Sequence, residues 1–179
     1  MSKKYLTLHM SDDHSIRNRN KIKNGGGSIM KKVLIAYDSR TGKTEKMAEY
    51  VAEGARIAGC EVELKKITTI KNEKEIQGYD GYIFGSPTYH RDMIGTMKTF
   101  LFLVQKANLN DKLGGAFGSY THSGDAPKLI FDTMDNVFKM DMTNLGSFNL
   151  LEHLVDTMEG RRACQDYGRA LGEKLSIMS

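Results

Sequence analysis

The chain has 179 residues, of which 40% are hydrophobic and 27% are charged, as in an ordinary globular protein with one sizeable core. No apolar run approaches the ~20 residues that a membrane-spanning helix needs, so we expect no membrane contact. Cys60 and Cys164 form no metal-binding spacing, and the N-terminus lacks the apolar centre of a signal peptide. These features predict reduced thiols in a cytoplasmic protein.

The net charge of +4 is concentrated at the N-terminus. Residues 1–29 contain six basic and two acidic side chains, whereas the rest of the chain contains 20 of each. A neutral domain with a basic tail offers no positive surface for nucleic acid, so we expect no nucleic-acid partner.

The N-terminal segment differs from the rest of the chain in its pattern. Residues 1–29 show no sustained hydrophobic period and end in the glycine-rich run 24–28, which predicts a flexible extension. The folded domain is therefore expected over residues 30–179. Since Met30 leads directly into the first apolar run, our hypothesis is that it is the true start of the protein in the cell.

One pattern in this extension resembles a metal-binding run of the metallo-β-lactamase fold. It is H-x-S-x-D-H, from His9 to His14. Ser11 stands where that fold has histidine or glutamate, and a hydroxyl is a poor substitute for such a ligand. Because no second ligand cluster follows, we expect no metal there.

From residue 30 onward, apolar runs typical of strands alternate with segments of helical periodicity. The predicted strands lie at 33–36, 60–67, 82–84, 113–118 and within 142–150. Helices are predicted between successive strands and at the C-terminus, and Asp125 is expected to cap the helix with Pro127 in its first turn. The alternation predicts an α/β fold with a parallel sheet covered on both faces.

A polar loop, residues 37–44, lies between the first strand and its helix. Such a junction directs unpaired backbone N–H groups and the positive end of a helix dipole at whatever lies above it, which favours an anion. Ser39, Thr41 and Thr44 add three hydroxyls. Gly42 allows close approach of the backbone. The loop is therefore predicted to bind a phosphate group without a metal ion.

Two other phosphate-related interpretations of this chain fail on single residues. Residues 42–44 match the end of the triphosphate-binding loop G-x-x-x-x-G-K-[ST], but Tyr37 stands where its first glycine belongs. A receiver domain needs a carboxylate after the third strand, where Gly85 and Ser86 stand. A capped turn without any ligand stays open as the simplest alternative.

The segment 35–51 resembles the signature of the flavodoxin family. The matching residues are Tyr37, Ser39, Thr41, Gly42, Thr44, Ala48 and Val51. The loops 85–89 and 115–120 are similar to the flavodoxin domain of flavodiiron proteins, so that the resemblance covers roughly residues 31–175. It implies a three-layer α-β-α flavodoxin-like fold, with a five-stranded parallel sheet in the order 2-1-3-4-5. It also implies FMN as a non-covalent cofactor.

The resemblance assigns three groups of cofactor-binding residues. Those expected to hold the phosphate are Ser39, Arg40, Thr41, Gly42, Lys43 and Thr44. Those expected on one side of the isoalloxazine ring are Ser86, Pro87, Thr88, Tyr89, His90 and Met93. Those expected on its other side are Ser119, Tyr120, Thr121, His122 and Gly124. Tyr89 or Tyr120 could stack on the flat ring.

Two histidines depart from the flavodiiron pattern. His90 stands where that pattern commonly has asparagine, and His122 where it commonly has tryptophan. A histidine beside the ring could take up a proton as the ring is reduced, which would raise the redox potential. The alternative is that each is a plain surface histidine.

The sequence contains no residue set that suggests a nucleophile or a general base, and no diiron module. We therefore expect an electron carrier rather than an enzyme, shuttling one or two electrons between transiently bound redox partner proteins, as a monomer or a homodimer. One alternative is an NAD(P)H-dependent quinone or flavin reductase of the same fold. The other is an interaction module that binds no flavin.

Overall fold

The computed structural model describes residues 30–178. The extension 1–29 lies outside the described residues, and so do the predictions about its flexibility, its metal-like pattern and the true start of the protein. None of the helices in the described part of the chain is long and apolar enough to cross a membrane.

The chain folds into a mainly parallel sheet with helices on both faces. The strands are β1 (Lys32–Tyr37), β2 (Glu61–Lys66), β3 (Gly81–Gly85), β4 (Thr88–Tyr89), β5 (Asp92–Met93), β6 (Leu113–Tyr120), β7 (Asp141–Met142) and β8 (Phe148–Leu151). The helices are α1 (Lys43–Ile57), α2 (Gly95–Ala107), α3 (Asp125–Asn136) and α4 (Met158–Ile177), and short 3-10 turns lie at Ile67–Thr69, Glu73–Glu75 and Glu152–Leu154.

The order of the main sheet is β2-β1-β3-β6-β7, and β8 also pairs with β6. All these pairings are parallel. Because β6 is the fourth strand and β7 and β8 share the fifth position, the predicted order 2-1-3-4-5 is confirmed. The separate β4–β5 hairpin was not predicted.

The fifth position of the sheet is interrupted. β7 pairs with the first two residues of β6 and β8 with its last four, so that Gly115 and Ala116 have no strand partner on that side among residues 30–178. The hydroxyl of Tyr167 on α4 accepts a hydrogen bond from the Ala116 N–H at 3.1 Å and lies 2.9 Å from the carbonyl oxygen of Gly146. A buried backbone group needs such a partner, so Tyr167 replaces the missing strand pairing.

The core lies on the two faces of the sheet, as the alternation of side chains along a strand requires. Leu34 of β1 packs on the face that α2 and α3 cover. Its neighbour Ile35 packs on the face that α1 and α4 cover. Every residue of β3 is buried, whereas the residues of edge strand β2 are exposed or half-buried, as predicted from their alternating polarity.

The prediction that Asp125 caps α3 is wrong, because Gly124 occupies the N-cap position. Asp125 is the first helical residue, where the helix dipole favours a carboxylate. One of its carboxylate oxygens lies 3.6 Å from Nε of Arg91. Pro127 does lie in the first turn of this helix, as predicted.

Helices α1 and α4 pack backbone against backbone because each presents a glycine to the other. A Cβ atom at Gly54 would lie 2.0 Å from the carbonyl oxygen of Gln165, and one at Gly168 would lie 2.0 Å from that of Val51. Neither backbone oxygen can move without shifting a whole helix, so these two positions require glycine.

We predict that Gly168→Ala lowers the free energy of unfolding by about 1–3 kcal/mol, since the added methyl group overpacks the contact between α1 and α4. The matched control is Gly95→Ala at the start of α2, where an added Cβ would meet no atom within 4 Å. Urea denaturation should show unchanged or slightly higher stability for this control. If the two variants were equally stable, the close packing of α1 against α4 at Gly168 would be contradicted.

Both cysteines are free thiols buried in the core. Burial raises the pKa of Cys164 to about 12 and also raises the pKa of Cys60. We therefore expect neither thiol of the folded protein to react with a disulfide reagent at about pH 8, because burial shields both sulfur atoms and disfavours the reactive thiolate. Both thiols should react after the protein is unfolded in urea. Rapid reaction without urea would contradict the burial of the thiols.

Candidate functional site

Three polar loops meet at the carboxyl edge of the sheet, following β1, β3 and β6. The predicted site residues on these loops are therefore brought together. The Asp38 N–H donates to the carbonyl oxygen of Gly85 at 3.0 Å, which joins the first loop to the second. The Ser86 N–H donates to the carbonyl oxygen of Phe117 at 3.1 Å, which joins the second loop to β6.

The loop after β1 ends at Gly42, which has a φ of 84° and occupies the N-cap position of α1. Among residues 30–178, no side chain caps this helix. Its first amide groups therefore remain available to a ligand, and the helix dipole favours an anion there. Thr44, in the first turn, is buried, and its Oγ1 lies 2.9 Å from Oγ of Ser119. This bond joins the first loop to the end of β6.

Ser39 carries the clearest sign of a missing partner. Within residues 30–178, its Oγ is buried and has no hydrogen-bond partner. A buried hydroxyl without a partner costs about 1–3 kcal/mol. A ligand oxygen in the loop would remove this cost, so the residues present fit the terminal phosphate of the expected FMN.

Tyr37 anchors the base of this loop. Its hydroxyl donates a 2.8 Å hydrogen bond to Glu45, which also pairs with Lys66 at 3.0 Å. The hydrogen bond from Tyr37 is the largest cause of the lowered pKa of Glu45, so this carboxylate stays ionised at neutral pH. The first turn of α1 is thereby fixed to the end of β1 and β2.

The other charged and hydroxyl residues of the loop contact protein groups. Lys43 pairs with Asp156, which also binds Lys46 at 3.0 Å. The hydrogen bond from Lys43 is the largest cause of the lowered pKa of Asp156. Thr41 is exposed, and its hydroxyl donates to Glu152 at 3.4 Å. Both acidic residues lie after β8, so the C-terminal part of the chain also holds this loop.

The second loop folds into the β4–β5 hairpin, in which Tyr89 pairs with Asp92. His90 and Arg91 form the turn, with φ values of 50° and 61°. Such a turn usually contains asparagine and glycine, because other residues are strained at positive φ. The strained turn brings His90 and Arg91 to the surface beside the third loop.

Ser86 and Thr88 fix the position of this hairpin. The Ser86 hydroxyl accepts a hydrogen bond from the Ile94 N–H at 3.4 Å and donates to the Pro87 carbonyl oxygen at 3.0 Å. Thr88 accepts a hydrogen bond from the Ala126 N–H of α3 at 3.1 Å. Because Ser86 is fully buried and makes these hydrogen bonds, it fixes the conformation of the loop from the core side.

A cavity of about 460 Å³ lies between the second and third loops, large enough to hold a flat ring system. Its lining residues are Thr88, Tyr89, His90, Arg91, Thr121, His122, Ser123 and Glu152. Five of these residues were predicted from the sequence, whereas Arg91, Ser123 and Glu152 were missed. The only sequence signal for Glu152 is its position shortly after the predicted fifth strand.

Six of the residues predicted beside the ring do not line this cavity. Ser86, Pro87, Met93 and Ser119 are buried, and Tyr120 is half-buried at the end of β6. Gly124 lies against Asn149, since an added Cβ would come within 3.0 Å of that side chain. A larger cavity of about 820 Å³ lies beside α2. None of the predicted site residues lines it.

Comparison with protein families gives one clear match. The family model described as Flavodoxin matches residues 35–163. The chain is 34% identical over 167 residues to a flavodoxin of Aquifex aeolicus, covering 83% of this chain and 89% of that protein. It is also 34% identical over 141 residues to an NAD(P)H dehydrogenase (quinone) of Bradyrhizobium, covering 65% of this chain and 71% of the relative.

A longer relative shares the same region. The chain is 32% identical over 149 residues to rubredoxin-oxygen oxidoreductase of Megalodesulfovibrio gigas, but this match covers 81% of the chain and only 37% of the relative. Among solved structures, a flavodoxin from the domain Archaea superposes with a TM-score of 0.72 at 27% identity, covering 80% of this chain and 98% of that one. This superposition confirms the predicted flavodoxin-like fold.

We predict opposite effects of Ser39→Ala on stability and on FMN binding. The FMN-free protein should be as stable as the wild type or slightly more stable, because a buried hydroxyl without a partner is removed. Its affinity for FMN should fall about tenfold or more, since a hydrogen bond to a charged phosphate is lost. Urea unfolding and flavin fluorescence titration measure the two effects.

The matched control is Ser176→Ala on α4, whose hydroxyl donates to the Gly172 carbonyl oxygen at 2.9 Å. This control should leave the affinity for FMN unchanged. An unchanged affinity for Ser39→Ala would show that the Ser39 hydroxyl does not contact the phosphate.

Proposed function

This chain belongs to the flavodoxin family, the FMN-binding electron-transfer proteins, and we propose that it shuttles one or two electrons between transiently bound redox partners. The observation that carries this proposal is the meeting of two sites at one edge of the sheet. One is the uncapped start of α1 with the unpartnered Ser39 hydroxyl, and the other is the cavity beside Tyr89. Their chemistry fits a phosphate joined to a flat ring.

The protein residues hold and orient the cofactor, and FMN supplies the electron chemistry when it is bound. The first amide groups of α1 and the Ser39 hydroxyl would hold the phosphate by donating hydrogen bonds to it. Tyr89 and Thr88 form one wall of the ring cavity, and Thr121 and His122 form the other. Since Tyr89 packs against the core, the wall that it forms would shield a bound ring from water on that side.

The outer side of the cavity is accessible to other proteins. His90, Arg91 and His122 are exposed on its rim. An electron can pass through an exposed ring edge when a partner protein contacts this rim, and the partner need not enter the cavity. This accessibility supports a carrier with short-lived complexes. The two buried free thiols support our proposal that the protein works in the cytoplasm.

A reductase would need a more open arrangement at the same site. A nicotinamide would have to stack on the flavin, which requires a free ring face as well as a free edge. The Bradyrhizobium relative is described as an NAD(P)H dehydrogenase (quinone). The Aquifex flavodoxin is covered more completely by this chain, so the carrier is the favoured function.

We predict that the FMN-loaded protein, mixed with NADPH without oxygen, shows no bleaching of its flavin absorbance on the stopped-flow timescale. Dithionite should bleach the same sample, which shows that the bound flavin can be reduced. Rapid bleaching by NADPH would instead identify a reductase. Absence of flavin absorbance after incubation with FMN and removal of the excess would identify an interaction module that binds no flavin.

A further inference from the structure

Arg40 lies at the tip of the phosphate loop, but its side chain contacts the ring side of the site. Its guanidinium carbon is 5.1 Å from the centroid of the Tyr89 ring. Within residues 30–178, Arg40 forms no salt bridge, so the aromatic face is the contact that places its charge. A guanidinium group stacks well on such a face because it is planar and weakly hydrated.

Tyr89 packs against the core on one side, and its side chain remains partly exposed. Its backbone pairs with Asp92 in the β4–β5 hairpin, and its side chain is half-buried against the core. The positive φ values of His90 and Arg91 fix the turn that follows it. These contacts constrain the backbone of Tyr89, whereas the contact with Arg40 is made with the face of its ring.

Tyr89 connects Arg40 to the cavity. Tyr89 lines the cavity, whereas Arg40 does not. Arg40 therefore contacts a residue of the cavity wall without lining the cavity itself, and through Tyr89 it can influence the position of a flat ring bound there.

We propose that Arg40 is a positioning residue for the flavin ring, acting by clamping Tyr89 as one wall of the cavity, and that it contributes to ring binding instead of phosphate binding. This inference rests on the proposed FMN site and adds a role that the sequence pattern does not suggest. The resemblance to flavodoxins placed Arg40 in the phosphate group, because it lies beside Ser39 and Thr41 in the chain.

The two roles differ in their effect on riboflavin, which has the same ring as FMN but no phosphate. A residue that binds phosphate affects FMN alone. A residue that positions Tyr89 affects both flavins by the same factor. The expected loss is about two- to fivefold, which is typical of a cation–π contact at an exposed site.

The test is to measure dissociation constants for FMN and riboflavin by quenching of flavin fluorescence. Arg40→Gln should weaken binding of both flavins equally, by about two- to fivefold. Ser39→Ala is the phosphate-side comparison and should weaken FMN binding only. Arg169→Gln removes an equal charge from α4, where Arg169 pairs with Asp166 and Glu173, and should change neither constant.

A double-mutant cycle with FMN alone tests the same contact independently. In a Tyr89→Leu background, Arg40→Gln should have no further effect, because the aromatic partner is already gone. Arg40→Lys should lose part of the affinity in the wild-type background, since lysine keeps the charge but lacks the flat group. Thermal unfolding of each variant checks that it folds.

Four results would overturn the inference. A loss of FMN affinity without a loss of riboflavin affinity would show that Arg40 acts on the phosphate. An unchanged affinity for both flavins, or an equally large effect of Arg40→Gln in the Tyr89→Leu background, would show that the contact with Tyr89 does not act on the cofactor. Failure of the wild-type protein to bind FMN would overturn the proposed FMN site as well, and is thus distinguishable from the other three.

Discussion

The hydrogen bond between Thr44 and Ser119 is the interaction on which the geometry of the site depends. It joins two buried hydroxyls over 2.9 Å, one in the first turn of α1 and the other near the end of β6. Because both side chains are out of water, loss of either would leave the other unsatisfied. The bond therefore sets the distance between the loop after β1, which we propose binds the phosphate, and the loops that line the cavity.

Close backbone approach completes this arrangement on the other side of β6. A Cβ atom at Gly118 would lie 2.0 Å from the carbonyl oxygen of Ser86, so only glycine lets β6 pass beneath the second loop. Ser86 then holds the two ends of the β4–β5 hairpin through its hydroxyl. Tyr89, at the end of β4, is positioned by contacts that begin in the sheet.

The fold could be predicted, and the loop after β1 could be located, because both signals are local. A buried strand followed by hydroxyls, glycine and a helix is visible in a continuous stretch, residues 33–58. The β4–β5 hairpin was missed because His90 and Arg91 replace the residues that usually mark its turn. The break in the fifth strand was missed because Tyr167, which replaces its pairing, lies far along the chain.

The contrast between local signals and contacts made by distant residues also applies to the roles of individual side chains. The family pattern places Arg40 and Lys43 at the phosphate by their position in the loop, whereas the structure shows their side chains against Tyr89 and Asp156. Glu152 reaches Thr41 from the other end of the domain. Side-chain partners of this kind depend on tertiary packing, which spacing along the chain does not encode.

The most direct test of the phosphate site is ³¹P NMR of FMN bound to the protein across a range of pH. Hydrogen bonds from buried amides and from Ser39 should favour the fully ionised phosphate. The bound resonance should therefore keep a constant shift through about pH 6, where a free phosphate monoester takes up a proton. A bound resonance that titrates like free FMN would contradict a phosphate enclosed by the loop after β1.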